Sequence, residues 1–419
     1  MFEWNESILG EYLTFKNGRT SPNRIESGRV PVFGSNGVIG YSDEINSPPK
    51  SLIIGRVGSY CGSVYHSDTD CWVTDNAIIG LPNEKDESEF WYYVLSLLNL
   101  NNYRSGSGQP LLNQRTLNSI SVSVPESASI RSRIGHFLMS FDRKIQINHE
   151  INQTLESIAQ TIFKSWFVDF DPVKAKMEDR EPEGMDAETA ALFPDRLVES
   201  ELGMIPEGWE VSTIESLADT VAMGPFGSNI KVSTFVHDGI PVISGKHLNN
   251  TMLEDVDYNY ITVEHADKLS RSNVYRGDIV FTHAGNIGQV SYVPLGSQYE
   301  RYILSQRQFY LRPNTRKTCS LYMVYYFRSL IGQHELLANT SQVGVPSISR
   351  PVSNLKRITL VNPVMSVLTR FIKIVDPLHS MMTNTIKESE TLAAIRDTLL
   401  PKLISGEIQI PKDWNGQKL

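Results

Sequence analysis

Two stretches of this chain, 237 residues apart, carry the same helical pattern. Thr154-Leu-Glu-Ser-Ile-Ala-Gln-Thr-Ile-Phe163 aligns with Thr391-Leu-Ala-Ala-Ile-Arg-Asp-Thr-Leu-Leu400, both reading T-L-x-x-I-x-x-T followed by two apolar residues. The same offset pairs Ile134 with Phe371, Phe137 with Ile374, Leu138 with Val375 and Phe141 with Leu378. The register therefore holds without a gap over roughly thirty residues. A long-period repeat constrains the fold more than any local motif, because each copy must be the same supersecondary unit.

Within the first copy, Ile134, Phe141, Asn148, Leu155 and Ile162 recur every seven residues. Leu138, Ile145, Asn152, Ala159 and Trp166 recur four positions later. That is an a/d seam with apolar ends and two asparagines in the middle; the second copy has Thr385 and Ser389 there. A polar layer in an apolar seam costs stability and fixes register, so two long helices packed antiparallel on each other are expected. The packing positions are Ile134, Leu138, Phe141, Ile145, Asn148, Asn152, Leu155 and Ile162 on the first helix. On the second they are Phe371, Leu378, Leu392 and Leu399. Pro377 predicts a kink or a late start in the second helix, since proline cannot donate to the helical ladder.

A fainter repeat lies upstream of each helix. Leu117-x-x-Ile120 before Pro125 matches Leu355-x-x-Ile358 before Pro363 at an offset of 238, and Trp4 before Ile8 matches Trp209 before Ile214 at 205. The second module is thus about 32 residues longer (237 − 205). Runs such as Leu52-Ile-Ile-Gly55 and Gly277-Asp-Ile-Val-Phe281, broken by Gly and Asn, predict strands joined by exposed loops. Short helices are expected at 89–98 and 321–330. The predicted fold class is α+β: two β-rich modules separated by the two long helices, as a pseudo-two-fold repeat. The boundaries are 1–128 for the first module, 129–167 for the central helix and 168–208 for an acidic connector. The second module takes 209–365, the distal helix 366–406 and a tail 407–419.

The formal charge of −8 is local. Residues 168–208 hold twelve acids and four bases (4 − 12 = −8), which leaves 35 bases against 35 acids elsewhere. Residues 270–316 carry six arginines against Asp278 and Glu300. Nucleic-acid binding is compatible with this balance, with a partner supplying part of the phosphate contact. Asp169, Asp171, Lys174 and Lys176 resemble a nuclease cluster only until the surrounding acid run is counted; a solvated connector or docking surface is the expected reading. The three cysteines, Cys61, Cys71 and Cys319, form no C-x-x-C pair and read as free thiols of a reducing cytoplasm. No apolar run approaches a membrane span, and Met1–Glu11 has no export-signal pattern, so a cytoplasmic chain is expected.

Catalytic motifs fail on spacing. Gly34-x-x-Gly37-x-x-Gly40 lacks the dinucleotide-loop spacing, and Gly239 to Gly245-Lys246-His247 has one residue too many for a Walker loop, with His in place of Ser or Thr. His334-Glu335 begins like a zinc-protease helix, but Ala338 stands where the second ligand must be. The amino-methyltransferase tetrapeptide is absent; Ser47-Pro48-Pro49-Lys50 does not match it. No catalytic residue and no metal ligand are expected.

Three segments carry a family resemblance. Lys164-Ser-Trp-Phe-Val-Asp-Phe-Asp-Pro-Val-Lys174, with Glu181-Pro-Glu-Gly-Met185 and Leu202-Gly-Met-Ile-Pro-Glu-Gly-Trp209, resembles the central region of type I restriction-modification specificity subunits. Leu399-Leu-Pro-Lys-Leu-Ile-Ser-Gly406 resembles their distal region. The resemblance implies a non-catalytic, DNA-binding subunit whose two modules are target-recognition domains reading a bipartite, asymmetric target. It further implies no cofactor in this chain. Two methyltransferase subunits would bring S-adenosylmethionine for adenine N6 methylation, and restriction subunits would bring ATP and magnesium for the endonuclease of bacterial defence.

Reading base edges in double-stranded DNA needs donors and acceptors on exposed loops. Candidates in the first module are Ser35, Asn36, Arg56, Ser59, Tyr60, Arg104, Gln109, Asn113 and Gln114. In the second they are Lys246, His247, His283, Asn286, Gln306, Arg307, Gln342, Ser347 and Arg350; Arg56, Gln306 and Arg307 stand out beside strand ends. A helix over 129–167 is about 58 Å long at ~1.5 Å per residue, more than one DNA turn of ~34 Å, and is expected to set the unread gap. The competing reading is a coiled-coil scaffold with no DNA role, separable by salt-sensitive, DNA-specific retention of the purified complex.

Overall fold

The computed structural model describes residues 3–104, 111–227, 229–341, 344–410 and 414. The chain divides into two compact units, residues 1–150 with 385–419, and residues 151–384. Each is described in turn.

The first unit opens with β1 (Trp4–Ile8) and β2 (Leu13–Asn17), then β3 (Val30–Gly34), β4 (Gly37–Ser42), β5 (Ser51–Gly55), β6 (Val64–Ser67), β7 (Trp72–Val73) and β8 (Ala77–Pro82). Helices α1 (Ser88–Leu97) and α2 (Gln114–Asn118) follow, and β9 (Ser121–Pro125) leads into α3 (Ala128–Phe167). Strand order is β2-β8-β5-β6 in one sheet, β4-β3-β7 in another, and β1 pairs with β9. Strand β5, Ser51-Leu-Ile-Ile-Gly, is buried along its whole length, as a continuous apolar run covered on both faces should be. Phe90, Trp91, Val94, Leu95, Leu117, Ile134 and Leu138 share the main core of this unit with Leu403.

In the second unit, α3 is followed by α4 (Asp171–Met177), α5 (Ala187–Ala191) and the hairpin β10 (Leu197–Ser200) with β11 (Gly203–Pro206). The acidic stretch, expected to be a solvated connector or docking surface, is a folded element. Most of its carboxylates face solvent, but Val173 and Phe193 enter the core, and Lys176 donates to the Ala190 and Phe193 carbonyls at the end of α5. The second module comprises β12 (Glu210–Thr213), α6 (Ile214–Leu217), β13 (Ala218–Met223), β14 (Ile240–Ile243), β15 (Asn259–Ile261), α7 (Val263–Lys268), β16 (Asn273–Tyr275), β17 (Ile279–Thr282), β18 (Val290–Tyr292), β19 (Arg301–Leu304) and β20 (Gln308–Pro313). It closes with α8 (Ser320–Arg328), α9 (Leu330–Leu337), β21 (Thr340–Ser341), β22 (Ser347–Ile348), α10 (Pro351–Arg357), β23 (Thr359–Asn362) and α11 (Met365–Ser405).

The two modules share one topology. The order β13-β20-β17-β18 repeats β2-β8-β5-β6. The parallel pair β14·β19 with antiparallel β15 repeats β3·β7 with β4, and β12·β23 repeats β1·β9. Helices α8 and α10 stand where α1 and α2 stand. Helix α7 and strand β16 belong to the second module alone and account for part of its extra length.

The long helices run antiparallel within each unit. In the first, Asn148 donates to Glu388 Oε2 (2.8 Å) and Ser389 Oγ (3.2 Å), Asp142 pairs with Arg396, and Leu403 lies in the core with Ile134 and Leu138. In the second, Leu155 meets Met382, and Phe163 and Trp166 meet Phe371. The seam residues Ile134, Leu138, Phe141, Asn148, Leu155 and Phe371 are buried, while Ile145, Asn152, Ile162, Leu378, Leu392 and Leu399 are half-buried. Phe163, next to the expected Ile162, is the buried side chain there. A straight helix of 3.6 residues per turn drifts against a seven-residue repeat, so the buried stripe moves on by a position. The late start expected from Pro377 is corrected: α11 is helical from Met365 to Ser405 without interruption. Proline costs a helix one hydrogen bond, and the burial of Phe371, Val375 and His379 on either side holds the helix through it.

Candidate nucleic-acid interface

At one edge of the first module, the ends of β3, β5 and β7 bring several loops together. Ser35 Oγ donates to the Asn76 carbonyl (2.5 Å), and the Arg56 N–H donates to that same carbonyl (2.9 Å). Leu112 N–H donates to the Arg56 carbonyl (3.0 Å), and Val57 bridges Leu111. Ser35, Asn36, Arg56, Ser59 and Tyr60 therefore share one rim, with Asn113 and Gln114 entering it through 111–112. Asn36 is exposed at the β3–β4 turn and Tyr60 is half exposed. Among the described residues the Arg56 guanidinium makes one long bond, to the Asp75 carbonyl (3.4 Å), and its Nε has no partner. Arg104 donates to Asn101 Oδ1 (2.8 Å). Asn113 has a second duty: its Oδ1 accepts from Thr116 N–H (2.9 Å) and caps α2. Gln109 and Gln342 lie outside the described residues.

The second module builds the equivalent rim. The loop after β17 carries His283 and Asn286, and Ala284 bridges Ser347 as Val57 bridges Leu111. His283 N–H donates to the Arg307 carbonyl (2.9 Å), Gly285 N–H to Pro346 (2.9 Å) and Ile348 N–H to His283 (2.8 Å). His283, Asn286, Gln306, Arg307 and Ser347 are thus neighbours, and Arg350, exposed at the start of α10, follows directly. Gln306 donates its amide to the Gly227 and Ile230 carbonyls, so it holds a loop in place as well as lining the rim. Arg307 is exposed, with no ion-pair partner among the described residues.

His247 does not present an edge to solvent. It is buried, its Nδ1 accepts from Ser244 N–H (2.9 Å), and its Nε2 lies 3.0 Å from the Val256 carbonyl, to which it donates. Burial holds its pKa down at about 4, so the ring is neutral and both nitrogens are spent inside the module. Lys246 is exposed but bonds the Asp257 carbonyl. Burial also lowers the pKa of His283. Of the six arginines in 270–316, Arg276, Arg301 and Arg312 are tied down. Arg276 donates to the Ser297 and Tyr299 carbonyls, Arg301 pairs with Asp267, and Arg312 binds the buried Asp278 through two bonds. The local positive charge therefore serves the fold more than the rim.

Three rim residues escaped the sequence reading: Arg19 and Arg24, beside the first rim, and Phe226, beside the second. Arg19 N–H donates to the Val73 carbonyl and Arg24 to that of Ile39. Only the equivalence of Gly18 and Gly224, one residue past β2 and β13, could have signalled them.

Among the described residues no group of three or more His, Cys, Asp or Glu side chains is placed to hold a metal. The three cysteines are free and buried, and burial raises the thiols of Cys71 and Cys319 to about 11 and about 12. A cleft of about 710 Å³ in the second unit is lined by Phe163, Leu248, Ile287 and Leu330 together with Lys164, Tyr325 and Arg328. No described helix is long and apolar enough to cross a membrane.

A module written twice, each with a loop rim of hydrogen-bonding side chains and each running into a long helix, defines a double recognition protein. Comparison with known proteins gives its kind. The family model described as "Type I restriction modification DNA specificity domain" matches residues 1–157 and again 206–395, most of the chain. The chain belongs to that family, the DNA specificity subunits of type I restriction-modification systems. It is 27% identical over 345 residues to the HindI specificity subunit of Haemophilus influenzae, covering 73% of this chain and 72% of that one. It is 25% identical to the MjaIX specificity subunit of Methanocaldococcus jannaschii, covering 79% and 71%. The crystal structure of the type I S subunit from M. genitalium shares the fold, with a TM-score of 0.64 over 96% of both chains at 16% identity.

Proposed function

We propose that the chain reads a bipartite, asymmetric sequence in double-stranded DNA and directs adenine N6 methylation, or restriction, by partner subunits. It catalyses nothing itself. Two methyltransferase subunits, carrying S-adenosylmethionine, and restriction subunits, using ATP and magnesium, join it in the cytoplasm. The observation that carries this reading is the duplication: one topology and one kind of rim, with different side chains at the two rims. Identical rims would suit a palindrome; these suit two unlike half-sites. Each module's last strand runs directly into a long helix, β9 into α3 and β23 into α11, which supports a spacer role for the helices.

The test is to map N6-methyladenine in a host carrying this subunit with its cognate methyltransferase. A split motif with a fixed gap is expected, and no subunit-dependent motif with an active partner would overturn the reading. Arg307→Ala should impair recognition of the second half-site while leaving the first, because guanidinium contact with a base edge contributes about 1–3 kcal/mol of discrimination. Methylation and DNA affinity that match the parent chain would remove Arg307 from the interface.

A further inference from the structure

Each module has a strap joining its second strand to its third, residues 18–29 between β2 and β3 and residues 224–239 between β13 and β14. Both straps are pinned in the same way. Gly18 N–H donates to the Ala77 carbonyl at the start of β8 (3.1 Å), and Gly224 N–H to Gln308 at the start of β20 (2.8 Å). A Cβ on Gly18 would stand 2.0 Å from the Thr74 carbonyl oxygen, and one on Gly224 2.1 Å from that of Ser305. No side chain fits at either point, so the strap leaves the sheet at one place in both copies.

From there the chemistry diverges. In the first strap Arg19 continues along Val73 and Thr74, just before the Asn76 carbonyl that receives Ser35 and Arg56. Arg19 is exposed, with no ion-pair partner among the described residues. Arg24 donates one N–H to the Ile39 carbonyl (2.9 Å) and turns the rest of an exposed guanidinium to solvent beside the β3–β4 hairpin. The second strap has no arginine. It presents Phe226, 71% exposed, whereas the other phenylalanines of this unit are buried or half-buried. Phe226 sits between Pro225 and Gly227, and Gln306 of the rim bonds the Gly227 and Ile230 carbonyls just beyond it. The rim thus holds an exposed aromatic ring at its own edge.

We propose that the equivalent straps make unlike contacts with DNA: a phosphate clamp through Arg19 and Arg24 in the first module, and an apolar contact with a base step through Phe226 in the second. The inference rests on the DNA-reading function proposed above. Cations on phosphates release counterions, so each contact steepens the salt dependence of binding by about 0.9 in log–log slope. An aromatic ring against or between bases adds affinity through unstacking and stacking, with little salt dependence.

The experiment uses the assembled methyltransferase complex and a duplex carrying its mapped motif, with affinity measured across salt concentrations. Arg19→Gln with Arg24→Gln should flatten the slope by about two. Phe226→Ala should leave the slope unchanged and weaken binding by about tenfold. A 2-aminopurine placed through the second half-site should brighten on binding the parent complex at one step and lose that signal with Phe226→Ala. An unchanged slope in the arginine variant overturns the clamp. Parent-like affinity and fluorescence in Phe226→Ala overturn the apolar contact, and a loss of co-purifying methyltransferase instead would make Phe226 a protein-docking residue. If the parent complex shows no sequence-dependent retention at all, the DNA-reading function itself has failed, which is a separate outcome.

Discussion

Arg131 and His247 show how firmly single polar residues are committed to the fold. Arg131 is buried and binds Glu87 through two bonds of 2.9 and 2.7 Å. It also donates to the Pro125 and Glu126 carbonyls at 2.7 Å each, and Trp91 Nε1 donates to the same carboxylate. The guanidinium therefore joins the end of β9 to α1 at the first turn of α3. Arg131→Met should destabilise the first unit by about 3–5 kcal/mol, because the Glu87 carboxylate stays buried without its cation; a denaturant midpoint equal to that of the parent chain would refute this. For His247 the effect is a pH dependence. The unfolded chain takes up a proton as the pH falls through 6.5, the ordinary value, while the folded ring stays neutral down to about 4. Its contribution to stability is present above pH 6.5 and is lost as the pH falls toward 4. His247→Gln should therefore show a smaller drop in urea midpoint between pH 7 and pH 5 than the parent, and an equal drop would exclude the assignment.

Among the elements, the long helices carry the most instructive contrast between pattern and packing. Asn148 is fully buried in the helix pair of the first unit, with its amide nitrogen bonded to Glu388 and Ser389 and its oxygen unpartnered. Such a layer selects one register, since sliding either helix strands the amide against apolar side chains. Asn148→Asp puts a carboxylate at a fully buried position beside Glu388, itself half exposed and paired with Lys144, and should lower stability by about 2 kcal/mol or more at neutral pH. Calorimetry at pH 7 and pH 4 tests this, and a loss that does not shrink on acidification contradicts it. The seam is also not the same surface in its two copies. A Cβ on Gly135 would meet Phe90 N at 2.4 Å, so α1 lies directly on the α3 backbone. At the offset of 237 the second copy has Ile372, half-buried against the core of the second unit. The register was legible in sequence; the close approach of α1 at Gly135 was not.

For the molecule as a whole, duplication with divergence is the feature that bears on function. The modules share strand order but differ at their rims, straps and lengths, which fits the proposed reading of two unlike half-sites. Inserting or deleting two helical turns in register in both α3 and α11 should change the gap between methylated half-sites and leave the half-sites themselves unchanged. Methylome sequencing of a host carrying such a variant measures both, and an unaltered gap in an active complex would end the spacer idea.

Periodicity sufficed for the helices, their pairing and the double architecture, because a seven-residue apolar repeat and a 237-residue self-match are properties of residue order alone. The central and distal segments around Lys164–Lys174 and Leu399–Gly406 carried the family in the same way. Burial and loop contact belonged to the tertiary structure. His247 stood among the candidate DNA contacts until Ser244 and Val256 closed on its ring, and Arg312 counted only toward the local positive charge until Asp278 proved to be buried beneath it. Pro377 read as a kink or a late start because local backbone preference opposes it, and packing on both sides outweighed that preference as far as the start is concerned. Arg19, Arg24 and Phe226 lie far in sequence from the residues they join at each rim, and only strand pairing brings them there. A sequence states what each element is made of, but which donors remain free for a ligand depends on what the folded chain has already used.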